Sequence, residues 1–202
     1  MQPSLNIWRL FSWVFKPKAP NTTAELFAKG EIRPISVSEK HLFRDHLLRL
    51  DANTRRSRFA MQASDAFLRS YVETSFTLDT LIYAYLENGI VRGTAELRSL
   101  GDAQTAEAAF CVEPDWRRKG IGTRLMDTLL QTARERHTRH IYINCLAGNS
   151  LMQALARKFS ASMTFQAGDV IGHLHPVGST LPGKLRNFLS RLIPTPNSTM
   201  PR

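Results

Sequence analysis

The chain is predicted to fold as an α/β domain around a mixed sheet with crossover helices, and three observations lead there. Two strand-like runs, Thr80 to Leu86 and Ile90 to Arg98, meet at Asn88-Gly89, the dipeptide that best closes a tight hairpin. A further run, Ala106 to Val112, leads through a glycine-bearing turn into a helix from about Ile121 to His137. A second strand and helix follow at once, His140 to Leu146 and then a helix through about Lys158.

Each element rests on its own pattern. Ser36 or Ser38 can cap a helical run carrying Leu42, Phe43, Leu47, Leu48 and Leu50. The basic segment Arg55-Arg56-Ser57-Arg58 precedes a second helical stretch at about 63–74. The helix after the glycine turn aligns Leu125, Met126, Leu129, Leu130 and Ala133 on one stripe. Asn149 caps the next helix, and a last strand or pair of strands covers about Ser162 to His175. The expected order is β-β-β-α-β-α-β.

Three parts are expected: an aromatic and basic extension over 1–30, the folded domain over 31–177, and a basic amphipathic tail over 178–202. The run Leu5 to Phe15 is too short to span a bilayer and lacks a convincing cleavage site. It reads as a segment docked on its own domain or a partner subunit, with a membrane-surface anchor as the sharper alternative. Leu181, Leu185, Phe188, Leu189, Leu192 and Ile193 recur at helical spacing until Pro194 and Pro196. Peripheral membrane contact through these ends, and a homodimer, are therefore both open.

The formal charge of +10 is unevenly placed. Residues 1–33 carry five Lys/Arg against two acids, and residues 181–202 carry four against none, leaving only +3 between. A surface built for nucleic acid is not indicated, since most of the excess lies in the extensions. Cys111 and Cys145 sit in apolar strand-like runs and read as buried free thiols, compatible with a reducing cytoplasm. His173 and His175 alternate along a probable strand without further ligands at recognisable spacing, so no metal site is expected.

The chemistry lies in Glu113-Pro114-Asp115-Trp116-Arg117-Arg118-Lys119-Gly120-Ile121-Gly122-Thr123-Arg124. Two glycines at alternate positions let the backbone turn and approach a ligand with no Cβ between. The amides opening the helix then face outward with the positive end of the dipole behind them. Neither Gly-Lys-Ser/Thr nor Gly-x-Gly-x-x-Gly is present, which excludes the common triphosphate and dinucleotide loops. A phosphate or pyrophosphate site is expected.

The segment resembles the GNAT superfamily of acyl-CoA N-acyltransferases, whose strand, Arg/Gln-x-x-Gly-x-Gly/Ala turn and helix are matched by Arg117 to Gly122. Ala106 to Pro114 resembles the family's fourth strand, and Asn149 its asparagine near the pantetheine arm. The likeness covers about residues 31–177 and implies a mostly antiparallel sheet with acetyl-CoA as co-substrate. It implies that the amides of Arg118, Lys119, Gly120, Ile121, Gly122 and Thr123 hold the pyrophosphate. It also implies that the main chain at Phe110, Cys111 and Val112 pairs with pantetheine as an added strand would.

Acetyl transfer to an amine requires deprotonation of the ammonium and polarisation of the thioester. With no nucleophile motif, direct attack in a ternary complex is expected. Glu107 shares a strand face with Ala109 and Cys111, and several relatives use a glutamate at the matching position as base. Glu96 on the neighbouring strand is the second candidate, and either can instead pair with Arg92 or Arg98. Many relatives carry a tyrosine in the helix after the asparagine, but here that slot is Ala156, which leaves Ser150 or a water as acid. A non-catalytic acyl-CoA-binding regulatory module of the same fold is the alternative. The acceptor amine is left unidentified.

Overall fold

A computed structural model describes residues 30–102 and 104–176. The expected amphipathic segments at both ends, with any membrane or subunit contact they make, lie outside the described residues.

Among the described residues, seven strands form one sheet in the order β1-β2-β3-β4-β5-β7-β6. They are β1 (Glu31–Pro34), β2 (Thr80–Glu87), β3 (Ile90–Ser99), β4 (Thr105–Val112), β5 (His140–Leu146), β6 (Ser162–Gln166) and β7 (Asp169–Leu174). Every pairing is antiparallel except β4 with β5, so the sheet is mixed and mostly antiparallel as expected. The β2–β3 hairpin closes on Asn88 (φ 52°) and Gly89 (φ 74°), the doubly positive pair that Asn-Gly favours.

Helices cover both faces. On one lie α1 (Lys40–Arg49), α2 (Ala52–Phe59) and α3 (Asp65–Ser75), where Phe43, Leu47, Leu68 and Val72 pack on Ile82, Ala84 and Val91. On the other lie α4 (Ile121–Glu135) and α5 (Ser150–Lys158), where Leu125, Met126 and Leu129 pack on Ala95, Ala106, Ile141 and Ile143. Asn149 caps α5 as expected, its side chain accepting from the Met152 amide at 3.1 Å. Ser36 instead opens a 3-10 turn over Val37–Glu39, and α1 starts from Glu39 without a side-chain cap.

Two elements differ from expectation. The basic segment Arg55 to Arg58 does not precede a helix but lies inside α2, which Asp51 caps by accepting from the Thr54 amide at 2.8 Å. Strand β1 was not anticipated, because four residues ending in Pro34 show too little alternation. Arg55 turns back onto the carbonyls of Leu48, Leu50 and Ala63 and pairs with Asp65, so it holds the α1–α3 corner and is not presented to a substrate.

Candidate active site

The parallel junction creates the site. β4 and β5 pair only over Thr105–Glu107 against His140–Tyr142, and beyond that point the strands part. The β5-facing edge of β4 from Ala108 to Val112 therefore has no strand partner, while its other edge stays paired to β3 as far as Gly93. Asn144 donates to Glu107 at 2.9 Å across the fork.

At the open end the chain turns through Pro114–Trp116 into α4. Arg118 (φ 61°) and Gly120 (φ 80°) adopt the left-handed region, where a glycine at the second position spares the strain another side chain would add. Gly120 is the N-cap of α4, and no side chain caps that terminus. The first amides of a 15-residue helix thus face an open cleft with the positive end of the dipole behind them. The cleft, of about 510 Å³, is walled by Phe110, Cys111 and Val112 of β4 and by Arg117, Arg118, Gly120, Gly122 and Thr123 of the turn. Asn149, Met152, Leu155 and Lys158 close it from the α5 side, and Thr54, Ser57 and Arg58 from α2.

Two of the expected residues contribute no side chain to this wall. Ile121 is buried in the core under α4, and the Lys119 ammonium lies 4.6 Å from the Trp116 ring centre. Arg117 lines the cleft but bends inward, donating to the Val112 carbonyl at 3.1 Å and to the Thr54 hydroxyl, so it fastens the turn to β4 and α2. Lys158, which sequence reasoning missed, reaches from the end of α5 to the Thr123 hydroxyl at 3.1 Å and adds a cation at the mouth of the turn. Ala156 does not face the cleft. It is 1% exposed and packs toward Gly172 in the core, so the absent tyrosine leaves a core position rather than a gap in the site.

A second recess of about 360 Å³ opens at the fork and shares Ser57, Arg58, Phe110, Asn149 and Met152 with the first. Glu107, half-buried, lies on its wall. Glu96 does not. Its carboxylate is buried behind α2, accepting from Arg58 at 2.5 Å and from the Tyr71 hydroxyl at 2.7 Å. Burial first, and then the Glu96 charge, push the Tyr71 hydroxyl up to about 12. Replacing Glu96 with alanine leaves the Arg58 charge buried without a counter-charge. The expected cost in folding stability is about 3–5 kcal/mol, read from denaturant unfolding.

A second buried network carries the end of β4. Glu113 accepts from Arg49 and Arg92, each at 2.9 Å, and its carboxylate lies 3.2 Å from His46 Nδ1. His46 Nε2 in turn lies 3.4 Å from the Cys111 sulfur. Burial alone would lower the His46 pKa, but Cys111 and Glu113 outweigh it and raise it to about 9. Burial likewise opposes the Glu113 charge, yet His46 and the two arginines hold its carboxyl down at about 2. A carboxyl depressed by folding stabilises the fold above its unfolded pKa and loses that contribution as pH falls through the folded value. Stability should accordingly drop between about pH 4.5 and pH 2. Glu113→Gln should flatten that limb while lowering stability at neutral pH, checked by unfolding across the range.

The sequence model of the acetyltransferase (GNAT) family matches residues 46–160, more than half of the chain. The chain belongs to this family, whose members are acyltransferases. No curated protein matches it. Among solved structures, the GNAT domain of a Streptomyces lividans protein named PAT superposes with a TM-score of 0.63 at 19% identity, over 72% of this chain and 90% of that one. The putative acetyltransferase yncA from Salmonella typhimurium, solved with its cofactor acetyl-CoA, gives 0.55 at 22% identity, over 75% and 96%. The ribosomal-protein-S18-alanine N-acetyltransferase of Escherichia coli gives 0.56 at 17%, over 76% and 99%. These likenesses establish the fold. Among the described residues, no helix is long and apolar enough to cross a membrane.

Proposed function

We propose that the chain moves an acetyl group from acetyl-CoA to a primary amine by direct attack in a ternary complex. One observation carries the reading: β4 and β5 part beyond Glu107 and Tyr142, and the gap runs to the uncapped start of α4. An extended amide-bearing arm fits the free edge of β4, and a pyrophosphate fits the amides from Arg118 to Thr123. Both features are present in one continuous cleft, with Asn149 at its side. These residues would hold the acyl-CoA. Bound there, it supplies the activated acyl group.

Glu107 is the base this geometry favours. It stands in the recess that joins the cleft at Arg58 and Phe110, and Asn144 fixes one carboxylate oxygen while the other is left for a water or an ammonium. Glu96 has both oxygens engaged and serves instead to neutralise Arg58. Arg58 lines both recesses, but its charge is balanced by Glu96, so the pair shapes their junction without adding net charge there.

The test is release of free CoA from acetyl-CoA in the presence of a panel of amines: polyamines, free amino acids, aminoglycosides, and peptides with free N-termini or lysines. Amine-dependent release by the wild type supports the proposal. Tight acetyl-CoA binding without turnover on any amine would instead favour a non-catalytic acyl-CoA-binding module.

A further inference from the structure

Three histidines outside the acyl-CoA cleft come together on the face of β5 and β7 turned away from α4 and α5. In the β5–β7 register Tyr142 faces His173 and Ile141 faces Leu174, which sets His140 abreast of His175 just past the end of β7. His140 Nδ1 and His173 Nε2 are 3.2 Å apart, and one nitrogen from each of the three rings lies within 4.8 Å of the others. The His173 and His175 ring centres are 4.2 Å apart, and Tyr142 stacks flat on His173 at 4.7 Å and 9°.

We propose that His140, His173 and His175 form a binding site for a divalent transition-metal ion of the zinc, nickel or copper class, with a fourth position open to water or an anion. Two nitrogens bound tetrahedrally to one ion at the zinc–imidazole bond length stand about 3.3 Å apart, which matches the His140–His173 separation. Without an ion, one shared proton can satisfy two of the facing nitrogens, and the third, on exposed His175, turns to solvent. Protonating all three would place like charges on rings in contact. A metal ion satisfies all three lone pairs at once, and imidazole suits this class of ion better than magnesium or calcium. Stacking by Tyr142 holds the His173 ring in place in advance. The adjacent recess is lined by Arg134, His137 and Arg139, and its two guanidinium charges favour an anion in the fourth position. This site lies beside the start of β5, at the opposite end of the parallel pair from the phosphate turn, so it stands independently of the acetyltransferase reading.

The experiment uses the full chain, free of any polyhistidine tag, titrated with Zn²⁺ by calorimetry and with Co²⁺ by visible absorption. One ion per chain is expected, with a Kd on the order of micromolar or tighter and the intense cobalt bands of four-coordination. His175→Ala, at an exposed position, should weaken binding roughly tenfold, and His173→Gln with His175→Ala roughly a hundredfold or more, with melting confirming that both fold. His137→Ala, in the same recess but outside the triad, should leave binding unchanged. No saturable binding, binding indifferent to the His173 and His175 changes, or binding of inorganic phosphate in place of the metals would overturn the proposal.

Discussion

Gly122→Glu is expected to weaken acetyl-CoA binding by at least about a hundredfold, or about 2.7 kcal/mol, while leaving the fold intact. Gly122 is the second residue of α4 and lines the cleft, and a Cβ built there would meet Leu155 at 3.5 Å, an ordinary contact. Glutamate is at home in the first turn of a helix, where the dipole favours it. Its carboxylate would occupy the space proposed for pyrophosphate and repel it. Melting within about 2 °C of the wild type shows that the loss belongs to the site. Gly120 is a poorer probe. Its φ of 80° makes any substitution strain the turn, so lost binding there would mix two causes.

Glu107→Gln should lower kcat by about 10²–10⁴ with little change in the KM for acetyl-CoA, measured as initial rates on an amine that supports CoA release by the wild type. Glutamine keeps the oxygen that accepts from Asn144 but cannot take a proton, so geometry is preserved while base function is lost. Glu96→Gln should instead show its main effect in stability, because it removes the charge that neutralises buried Arg58. If Glu107→Gln turns over within about threefold of the wild type, proton removal at the amine does not depend on this carboxylate.

The parts of this account visible in the sequence are those encoded by short-range chemistry. Asn88-Gly89 dictates a turn by its φ values, Asn149 caps a helix from its own first turn, and the two glycines after β4 shape a turn within a few residues. Helix α2 lacked such a signature, since Ala52 to Phe59 is mostly polar and its helicity depends on the Asp51 cap and on packing. The charge networks were hidden for a different reason. Arg58 and Glu96 are 38 positions apart, and His46 and Glu113 are 67, so their pairing follows from how α1 and α2 cross the sheet. The histidine triad required the β5–β7 register, which no local pattern specifies. Strand alternation did place Glu107 correctly on one face with Cys111, but only the parting of β4 and β5 shows that its recess joins the cleft.

Hydrogen–deuterium exchange with and without acetyl-CoA tests the central claim most directly, because it reads the backbone amides that the proposal assigns to the ligand. Protection should rise in two segments, Ala108 to Val112 on the open edge of β4 and Arg118 to Thr123 at the start of α4. It should leave the β6–β7 hairpin unchanged. Slower exchange elsewhere with these two segments unaffected, or no change at saturating acetyl-CoA, would contradict the account.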